Sequence, residues 1–438
     1  MSIKLKDFIF ILIDFFTFFF SLFLALFIRN FPEFSLEIYK IHFFPFLIIF
    51  FIWFLIFYIF DLYNIKKISS FSDFSKNYLR AIFISLFLTI LVFYTLPIFK
   101  ISPKTLLVLF IIIFIILNIE FRNLLLNKYL FESYKKIALI GETKDIEEIK
   151  NYLENHKSLG FKEIAHYRNF NELINQESYD YYVVASDLLR DEDFSSNLVN
   201  EILKGKLVLS SLSFFEIFIN KIPVGYVNEE WVLDNLYTKD QIYEVIKRGI
   251  DIILALIVII LSLPLLPFII LGIKISSKGP IFFKDKRVGY REKIFTLYKF
   301  RTMHEIDYKD PQKEEIFGVK EGDKRIFPFG KILRKFHLDE IPQVINVLKN
   351  DISFIGPRPD SLKYYEFLKK KIPHYTLRTL IKPGISGWAQ INEKTGDTLE
   401  EAKERLAYDL FYLKNRNLVL DFIIILKTLR VFLTFWGK

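Results

Sequence analysis

The chain of 438 residues contains no cysteine. That excludes disulfides, thiolate zinc centres and cysteine nucleophiles, so any bound metal must be held by oxygen or imidazole. Imidazole is itself scarce, with six histidines. Of these, His304, His337 and His374 are scattered without the spacing of a helical metal site, and none is read as a ligand. Methionine is down to two residues while Lys, Glu and Ile are abundant, a composition compatible with growth at high temperature. What is plentiful is apolar: 52% of residues are hydrophobic and 50 are Phe, too many for a wholly soluble protein. Charged residues make up 25%, too many for a chain wholly embedded in lipid. The two figures together describe a membrane protein with a large aqueous part. A net charge of +9 suits contact with anionic headgroups or phosphorylated substrates, though charge alone does not separate these from nucleic acid. The length allows two or three domains.

Four apolar runs open the chain, at 8–28, 43–61, 79–96 and 106–119. Each is near the roughly 17–25 residues that a helix needs to cross the hydrocarbon core, so 1–135 is read as a four-helix transmembrane bundle. The first run is long and lacks a small-residue cleavage site, unlike a signal peptide. Basic residues collect at Lys4, Lys6, Lys66, Lys67, Lys76, Arg80, Arg122, Lys128, Lys135 and Lys136; the alternate loops hold chiefly Arg29, Lys40, Lys100 and Lys104. The positive-inside rule then puts both ends of the bundle in the cytoplasm. Asp14, inside the first run, is read as a structural residue facing other helices.

From 136 to 236 the composition turns soluble. A strand at 137–141, a helix at 145–155 and a second strand at 181–185 predict a small α/β domain with a parallel sheet. Gly141 after the first strand invites a dinucleotide-binding reading. The next residues, Glu142-Thr143-Lys144-Asp145-Ile146, lack the further glycines of that fingerprint, so a Rossmann-like scaffold is preferred to a cofactor site.

The remainder, 237–438, begins with an apolar segment at 250–273 broken near Ser262, Pro264 and Pro267. Proline removes a helical hydrogen bond and kinks the axis. Lys247 and Arg248 precede the segment, and Lys274, Lys278, Lys284, Lys286 and Arg287 follow it. Basic residues at both ends favour a re-entrant helix-break-helix over a fifth crossing. The basic and aromatic residues of 282–301 read as an interfacial belt, although such interleaving also serves single-stranded nucleic acid. The polar stretch 305–323 is either a loop over a site or a solvated charge run. The tail 418–436 suits an interfacial helix.

Chemistry concentrates in Arg334-Lys335-Phe336-His337-Leu338-Asp339-Glu340-Ile341-Pro342-Gln343, followed by Asn346, Asp351 and Gly356-Pro357-Arg358-Pro359. A carboxylate can attack phosphorus or hold a divalent metal, and guanidinium groups match phosphate oxygens in a two-pronged geometry. Taken alone, the acidic pair also fits an ordinary solvated helix start. Arg378 and Lys382 precede a Pro383-Gly384 turn whose amides and cations suit a diphosphate, or form only a charged surface turn.

Context extends the motif. The blocks Lys247-Arg248 with Asp251, Gly279-Pro280-Ile281-Phe282-Phe283, Arg287-Val288-Gly289 and Lys299-Phe300-Arg301-Thr302-Met303 come before it. Ser353-Phe354-Ile355-Gly356-Pro357-Arg358-Pro359, Lys382-Pro383-Gly384-Ile385-Ser386-Gly387-Trp388-Ala389-Gln390 and Asp409-Leu410-Phe411-Tyr412 continue it. Together these blocks resemble the bacterial sugar transferases, the monotopic polyprenyl-phosphate phosphoglycosyl transferases, over roughly the last two hundred residues. The larger members are similar throughout, with a four-helix bundle and a Rossmann-like domain before a mainly α catalytic domain. The resemblance implies transfer of a sugar-1-phosphate from a UDP-sugar to polyprenyl phosphate at the cytoplasmic face of the inner membrane, releasing UMP and starting an exopolysaccharide, capsule or O-antigen. It implies Asp339 as nucleophile and Glu340 as its partner in holding Mg²⁺, with Asp339 also a metal ligand. Lys299, Arg301, Arg334, Arg358 and Arg378 would clamp phosphate, and Asp409 would be a supporting or metal partner. The hairpin break falls at Ser262 and Pro264, with Leu263 between them where the family often has Ser-Pro adjacent. The expected partners are UDP-sugar, polyprenyl phosphate and membrane lipids, not nucleic acid, with a homodimer through the middle domain as an option. Two rival readings remain: a non-catalytic scaffold that binds nucleotide sugar, and a glycosyltransferase that releases UDP.

Overall fold

Runs of Phe, Leu and Ile too long for one strand must satisfy their backbone groups within the segment, and a helix does so without outside partners. A computed structural model of the chain describes residues 3–63, 71–95, 104–131, 135–156, 161–169, 179–188, 192–236, 241–304, 325–392 and 398–433, with isolated residues at 159, 172 and 323. It divides into two units, Met1–Phe214 and Phe215–Lys438.

In the first unit the apolar runs form α1 (Ile3–Asn30), α2 (Leu36–Ile59), α3 (Phe71–Thr95) and α4 (Lys104–Phe131). Among the described residues these four helices are long and apolar enough to cross a membrane. They extend beyond the runs read from hydropathy because their polar flanks, such as Glu37 to Lys40 and Glu120 to Arg122, stay helical. Aromatic rings fill the interior: Phe18 of α1 meets Trp53 of α2 and Phe110 and Phe114 of α4, with ring centroids 4.8 to 5.8 Å apart and edges towards faces. Asp14 is buried and paired with Arg122, whose Nη1 also donates to the Leu62 carbonyl at 2.9 Å. Asn118 Nδ2 donates to Asp14 Oδ1 at 2.7 Å, and Tyr78 donates to Asn118 Oδ1 at 3.0 Å. One polar cluster therefore joins α1, α3, α4 and the turn after α2. Arg122 is thus an interior residue of α4 and not a loop charge, which removes it from the positive-inside count; Lys66, Lys67 and Lys100 of that count lie outside the described residues.

The same unit contains β1 (Lys135–Ile140), α5 (Lys144–Asn155), β2 (Phe161–Tyr167), β3 (Tyr181–Val184), α6 (Glu192–Leu203), β4 (Leu207–Ser210) and α7 (Ser211–Phe214). The strands form a fully parallel sheet in the order β2-β1-β3-β4, with Ala138 between Ala165 and Tyr182, and Tyr182 beside Val208. Gly141 has a steric reason to be glycine. Its φ is +119°, and a Cβ there would lie 2.5 Å from the Ala185 Cβ, so the ends of β1 and β3 close only over a bare backbone. Just above the turn Glu142 pairs with Arg168 at 2.7 Å.

The second unit starts before the 236/237 junction read from composition. Residues 216–222 are bound into it: the Ile222 N–H donates to the Ala407 carbonyl at 3.0 Å, Lys221 pairs with Glu404 at 2.6 Å, and Trp388 Nε1 donates to the Asn220 carbonyl at 2.9 Å. After a short α8 (Glu229–Asn235) come α9 (Gln241–Ser262) and α10 (Leu266–Ser276), bent by 67° at the break. Ser262 Oγ donates to the Ile259 carbonyl at 2.9 Å, and the Leu265 N–H donates to the Ser262 carbonyl at 2.9 Å across Pro264. The hairpin β5 (Phe282–Val288) and β6 (Ile294–Phe300) follows. After it come α11 (Pro328–Lys335), α12 (Val344–Leu348), β7 (Ser353–Ile355), α13 (Leu362–Lys371), β8 (Gly384–Ser386), α14 (Trp388–Asn392), α15 (Leu399–Asn415) and α16 (Leu418–Leu433). The expected loop over the site, 305–322, lies outside the described residues.

Each arm of the bent pair packs on its own core. Ala255 of α9 meets Phe295 and Leu297 of β6 and Val344 and Val347 of α12. Ile269 and Ile273 of α10 meet Phe300, Phe327 and Leu333, with Leu338 and Ile341 packed against the same cluster. The segment carrying the two carboxylates is therefore tied to α10 through its own apolar residues.

Candidate active site

Leu338–Gln343 is a 3₁₀ helix, and its three-residue period puts Leu338 and Ile341 on one face. With that face in the core, Asp339 and Glu340 are turned elsewhere. His337, at φ 50° in the left-handed region, makes the turn from α11 into this segment.

The two carboxylates sit in different surroundings. Glu340 Oε1 accepts from Lys299 Nζ at 2.7 Å and from Arg358 Nη2 at 3.3 Å. Burial alone would raise its pKa, but the Arg358 and Lys299 charges outweigh burial and hold it down at about 2. Asp339 is buried, and among the described residues no donor or ion pair reaches its carboxylate. Burial raises its pKa, the neighbouring Glu340 charge adds to the rise, and Lys299 and Arg334 oppose it. One member of the pair is fixed as an anion by cations; the other is largely desolvated and, among the described residues, unengaged.

The expected phosphate ligands divide in two. Lys299 and Arg358 meet at Glu340, and Arg334 is half-buried and close enough for its charge to act on Asp339. The Arg358 side chain is 40% exposed, so a guanidinium fork beyond its one long bond faces outward. A shallow cleft beside it is lined by Gly289, Pro357, Asp360, Arg378, Thr379 and Pro383 among others. Its turn is shaped by a close approach: a Cβ on Gly356 would lie 2.3 Å from the Lys382 carbonyl oxygen.

Arg301 and Arg378 are engaged in the interior. Arg301 is buried and donates to the Lys278 and Ser277 carbonyls at 2.5 and 2.7 Å, tying the end of β6 to the turn after α10. Arg378 is buried among Asp360, Asp409 at 2.9 Å and Tyr375 Oη at 2.6 Å. Its Nη2 also donates to the Arg358 carbonyl at 2.9 Å. Both guanidinium groups are held largely by interior carbonyls or carboxylates, and Arg378 also lines the cleft beside Arg358. Asp409 is buried in that cluster, and burial raises its pKa. It pairs with Arg378 at 2.9 Å. Lys382 lies in a separate cleft with Lys247 and Arg248.

Several residues that sequence reading quoted without a role act as struts. Asn346 Nδ2 donates to the Thr296 carbonyl at 2.7 Å and its Oδ1 accepts from the Tyr298 N–H at 3.1 Å, fixing β6, and with it Lys299, against α12. Asp251 Oδ1 accepts from Ser353 Oγ and the Phe354 N–H, both at 2.9 Å, joining α9 to β7. Asp360 was not singled out, since nothing about an isolated Asp after Pro359 marks it as the partner of Arg378.

Among the described residues no three His, Asp or Glu side chains converge as a metal cage. The donor set of the Asp339–Glu340 pair still fits a magnesium ion, which takes one or two carboxylates and completes its shell with water and substrate phosphate. The unengaged Asp339 carboxylate is the available oxygen donor.

Residues 242–435 match the family model described as bacterial sugar transferase. The chain is 34% identical over 261 residues to the UDP-N-acetylgalactosamine-undecaprenyl-phosphate N-acetylgalactosaminephosphotransferase of Aeromonas hydrophila, covering 59% of this chain and 60% of that one. It is 40% identical over 196 residues to the UDP-glucose:undecaprenyl-phosphate glucose-1-phosphate transferase of Xanthomonas campestris pv. campestris, covering 44% and 40%. Against the protein of the same name from Caulobacter vibrioides it is 35% identical over 190 residues, covering 43% of this chain and 70% of that one. The match thus spans 60% and 40% of the lengths of the first two relatives.

Proposed function

Because this chain belongs to the bacterial sugar transferase family, we propose that it transfers a sugar-1-phosphate from a UDP-sugar to polyprenyl phosphate through a covalent intermediate on Asp339. The observation that carries the reading is the contrast inside the dyad: Glu340 is held as an anion by Lys299 and Arg358, while the buried Asp339 carboxylate is unengaged among the described residues. A desolvated carboxylate without hydrogen-bond donors keeps its electron pairs for an electrophile. In the first step an Asp339 oxygen forms a bond to the sugar-bearing phosphorus, the bridging P–O bond breaks, and UMP leaves. In the second, an oxygen of polyprenyl phosphate forms a bond to that phosphorus, the acyl-phosphate bond breaks, and the Asp339 carboxylate is restored. Two steps suit a donor that is aqueous and an acceptor that is lodged in lipid.

Arg358 and Lys299 supply positive charge beside the reacting phosphates, and Arg334 adds to the field at Asp339. Magnesium, bound by Asp339 and Glu340, would neutralise diphosphate charge. The bent pair α9–α10 is read as a re-entrant hairpin whose two ends lie in the cytoplasm, placing the dyad at headgroup depth on the inner membrane. The parallel sheet of the first unit is read as a Rossmann-like scaffold, and the product as the first lipid-linked intermediate of an exopolysaccharide, capsule or O-antigen.

The test is to incubate purified protein with UDP-sugar labelled in the sugar and without lipid acceptor. Label should stay covalently attached to the wild type and be absent from Asp339→Asn; a labelled Asp339→Asn protein would refute the nucleophile. Release of UDP in place of UMP would instead favour direct glycosyl transfer.

A further inference from the structure

The family match starts at residue 242, yet the second unit starts at Phe215, so a stretch of chain ahead of the matched residues is built into it. Phe215–Ile219 forms a turn of π-helix, a rare form, and Phe215, Phe218 and Ile222 are buried. The polar contacts of this stretch run along α15. Glu216 pairs with Lys414 at 2.8 Å, the Ile222 N–H donates to the Ala407 carbonyl at 3.0 Å, and Lys221 pairs with Glu404 at 2.6 Å. Trp388, whose Nε1 donates to the Asn220 carbonyl at 2.9 Å, stacks on Phe411 of α15 with ring centroids 5.6 Å apart.

Positions 404, 407, 411 and 414 of α15 are three or four residues apart and make one stripe of the helix. Arg405 and Asp409 make another, nearly opposite. The second stripe reaches the candidate site: Arg405 lies 3.6 Å from Asp360, and Asp409 pairs with Arg378, which donates to the Arg358 carbonyl. The helix is therefore held by residues 215–222 on one side, and on the other it holds the base of Arg358.

We propose that residues 215–222 are a strap that sets the position of α15, and that Lys221 is a positioning residue acting through Asp409 and Arg378 on Arg358, which rests on the reading above that Arg358 faces the reacting phosphates. The chemistry of Lys221 gives it this part. Its side chain is buried, so its ammonium requires a carboxylate, and Glu404 supplies one. An apolar side chain would fill the same space without fixing the strap at one place along the helix; a buried ion pair contributes register more than stability.

In the full chain Lys221→Met should lower kcat/KM for UMP release about tenfold, because a small displacement far from the chemistry is enough to misplace a phosphate ligand. Its melting temperature should stay within about 3 °C of the wild type, since Glu404 is 33% exposed and keeps access to water. Lys221→Arg, which keeps the charge, should keep the rate. In an Arg358→Gln background Lys221→Met should cause no further loss, because the residue it positions is gone. An unchanged rate in Lys221→Met, or a loss that adds in full to that of Arg358→Gln, would overturn the proposal. So would a melting temperature lowered by about 10 °C or more, which would make the pair a matter of stability alone. If Lys221→Met does not fold, Glu404→Gln breaks the same pair from its exposed side and should give the same loss. Hydrogen exchange without substrate separates the strap from the reaction: peptides covering 355–360 and 405–411 should exchange faster in Lys221→Met. Faster exchange with no UMP released by the wild type overturns only the transferase reading, and unchanged exchange beside an active wild type overturns only the strap.

Discussion

Lys299→Met is the perturbation whose consequence the geometry defines most closely. Glu340 is mostly buried and its pKa is held at about 2 against an ordinary 4.5, a difference worth about 3 kcal/mol. Arg358 and Lys299 divide the attraction, and Lys299 makes the shorter contact, 2.7 against 3.3 Å. Removing it should cost about 1–2 kcal/mol at pH 7, below the ~3–5 kcal/mol of breaking an isolated buried pair because Arg358 remains. For a unit of this size that lowers the melting temperature by about 3–6 °C. The sign with pH follows from linkage. A carboxylate whose pKa is depressed in the folded state stabilises in full above its unfolded value, near 4.5, and loses that contribution as pH falls towards 2. Melting curves of wild type and Lys299→Met in detergent, from pH 7 down to pH 3, should therefore converge as the pH falls. Glu340→Gln should abolish the pH-dependent part of the gap. A gap that stays constant across this range would refute the assignment of Lys299 as one of the two cations that keep Glu340 ionised.

Arg378→Met should leave Asp360 and Asp409 buried without their cation and cost about 3–5 kcal/mol, read as a loss of roughly 10 °C in melting temperature; a change under two degrees would contradict the burial argument. Arg122→Met should destabilise the bundle by a similar amount by stranding Asp14, and the double change Asp14→Leu/Arg122→Met should recover most of it; equal loss in both would show that the ion pair is not the reason. Chelation of divalent metal should abolish UMP release and magnesium should restore it, while undiminished turnover in chelator would remove the metal from the site.

How much could be read beforehand depended on whether a residue's role was local. Each transmembrane run is its own signal, since about twenty apolar residues have few other fates, yet hydropathy marks the span and not the helix, so α2, α3 and α4 run past the boundaries read from it. Strands β2 and β4 went unseen because both are edge strands: β2, Phe161–Tyr167, mixes charged and apolar residues, and β4, Leu207–Ser210, is short and only partly buried. The Asp339–Glu340 pair was legible because both carboxylates and their flanking Arg334 are contiguous. The interior partners of Arg301 and Arg378 were not legible, for the opposite reason. Basic residues near a phosphate motif look alike in sequence, and only the carbonyls of Ser277 and Lys278 around one and the carboxylates of Asp360 and Asp409 around the other reveal that each is engaged in the interior.

The interior placement of Arg378 also bears on how the site keeps its shape. The Arg358 side chain is partly exposed, and such a side chain on a short turn has little to fix its base. Here the base is fixed from behind: Arg378 donates to the Arg358 carbonyl while its other nitrogens hold Asp360, Asp409 and Tyr375, and Asp360 returns its own carbonyl to the Val288 N–H of β5. The opposite side is fixed by Asn346, which holds β6 so that Lys299 reaches Glu340. Glu340 thus stands between two cations anchored through different elements, one through α15 and one through α12. Its negative charge stays in place beside Asp339, and the asymmetry between the two carboxylates is a property of the frame and not of the six-residue turn that carries them.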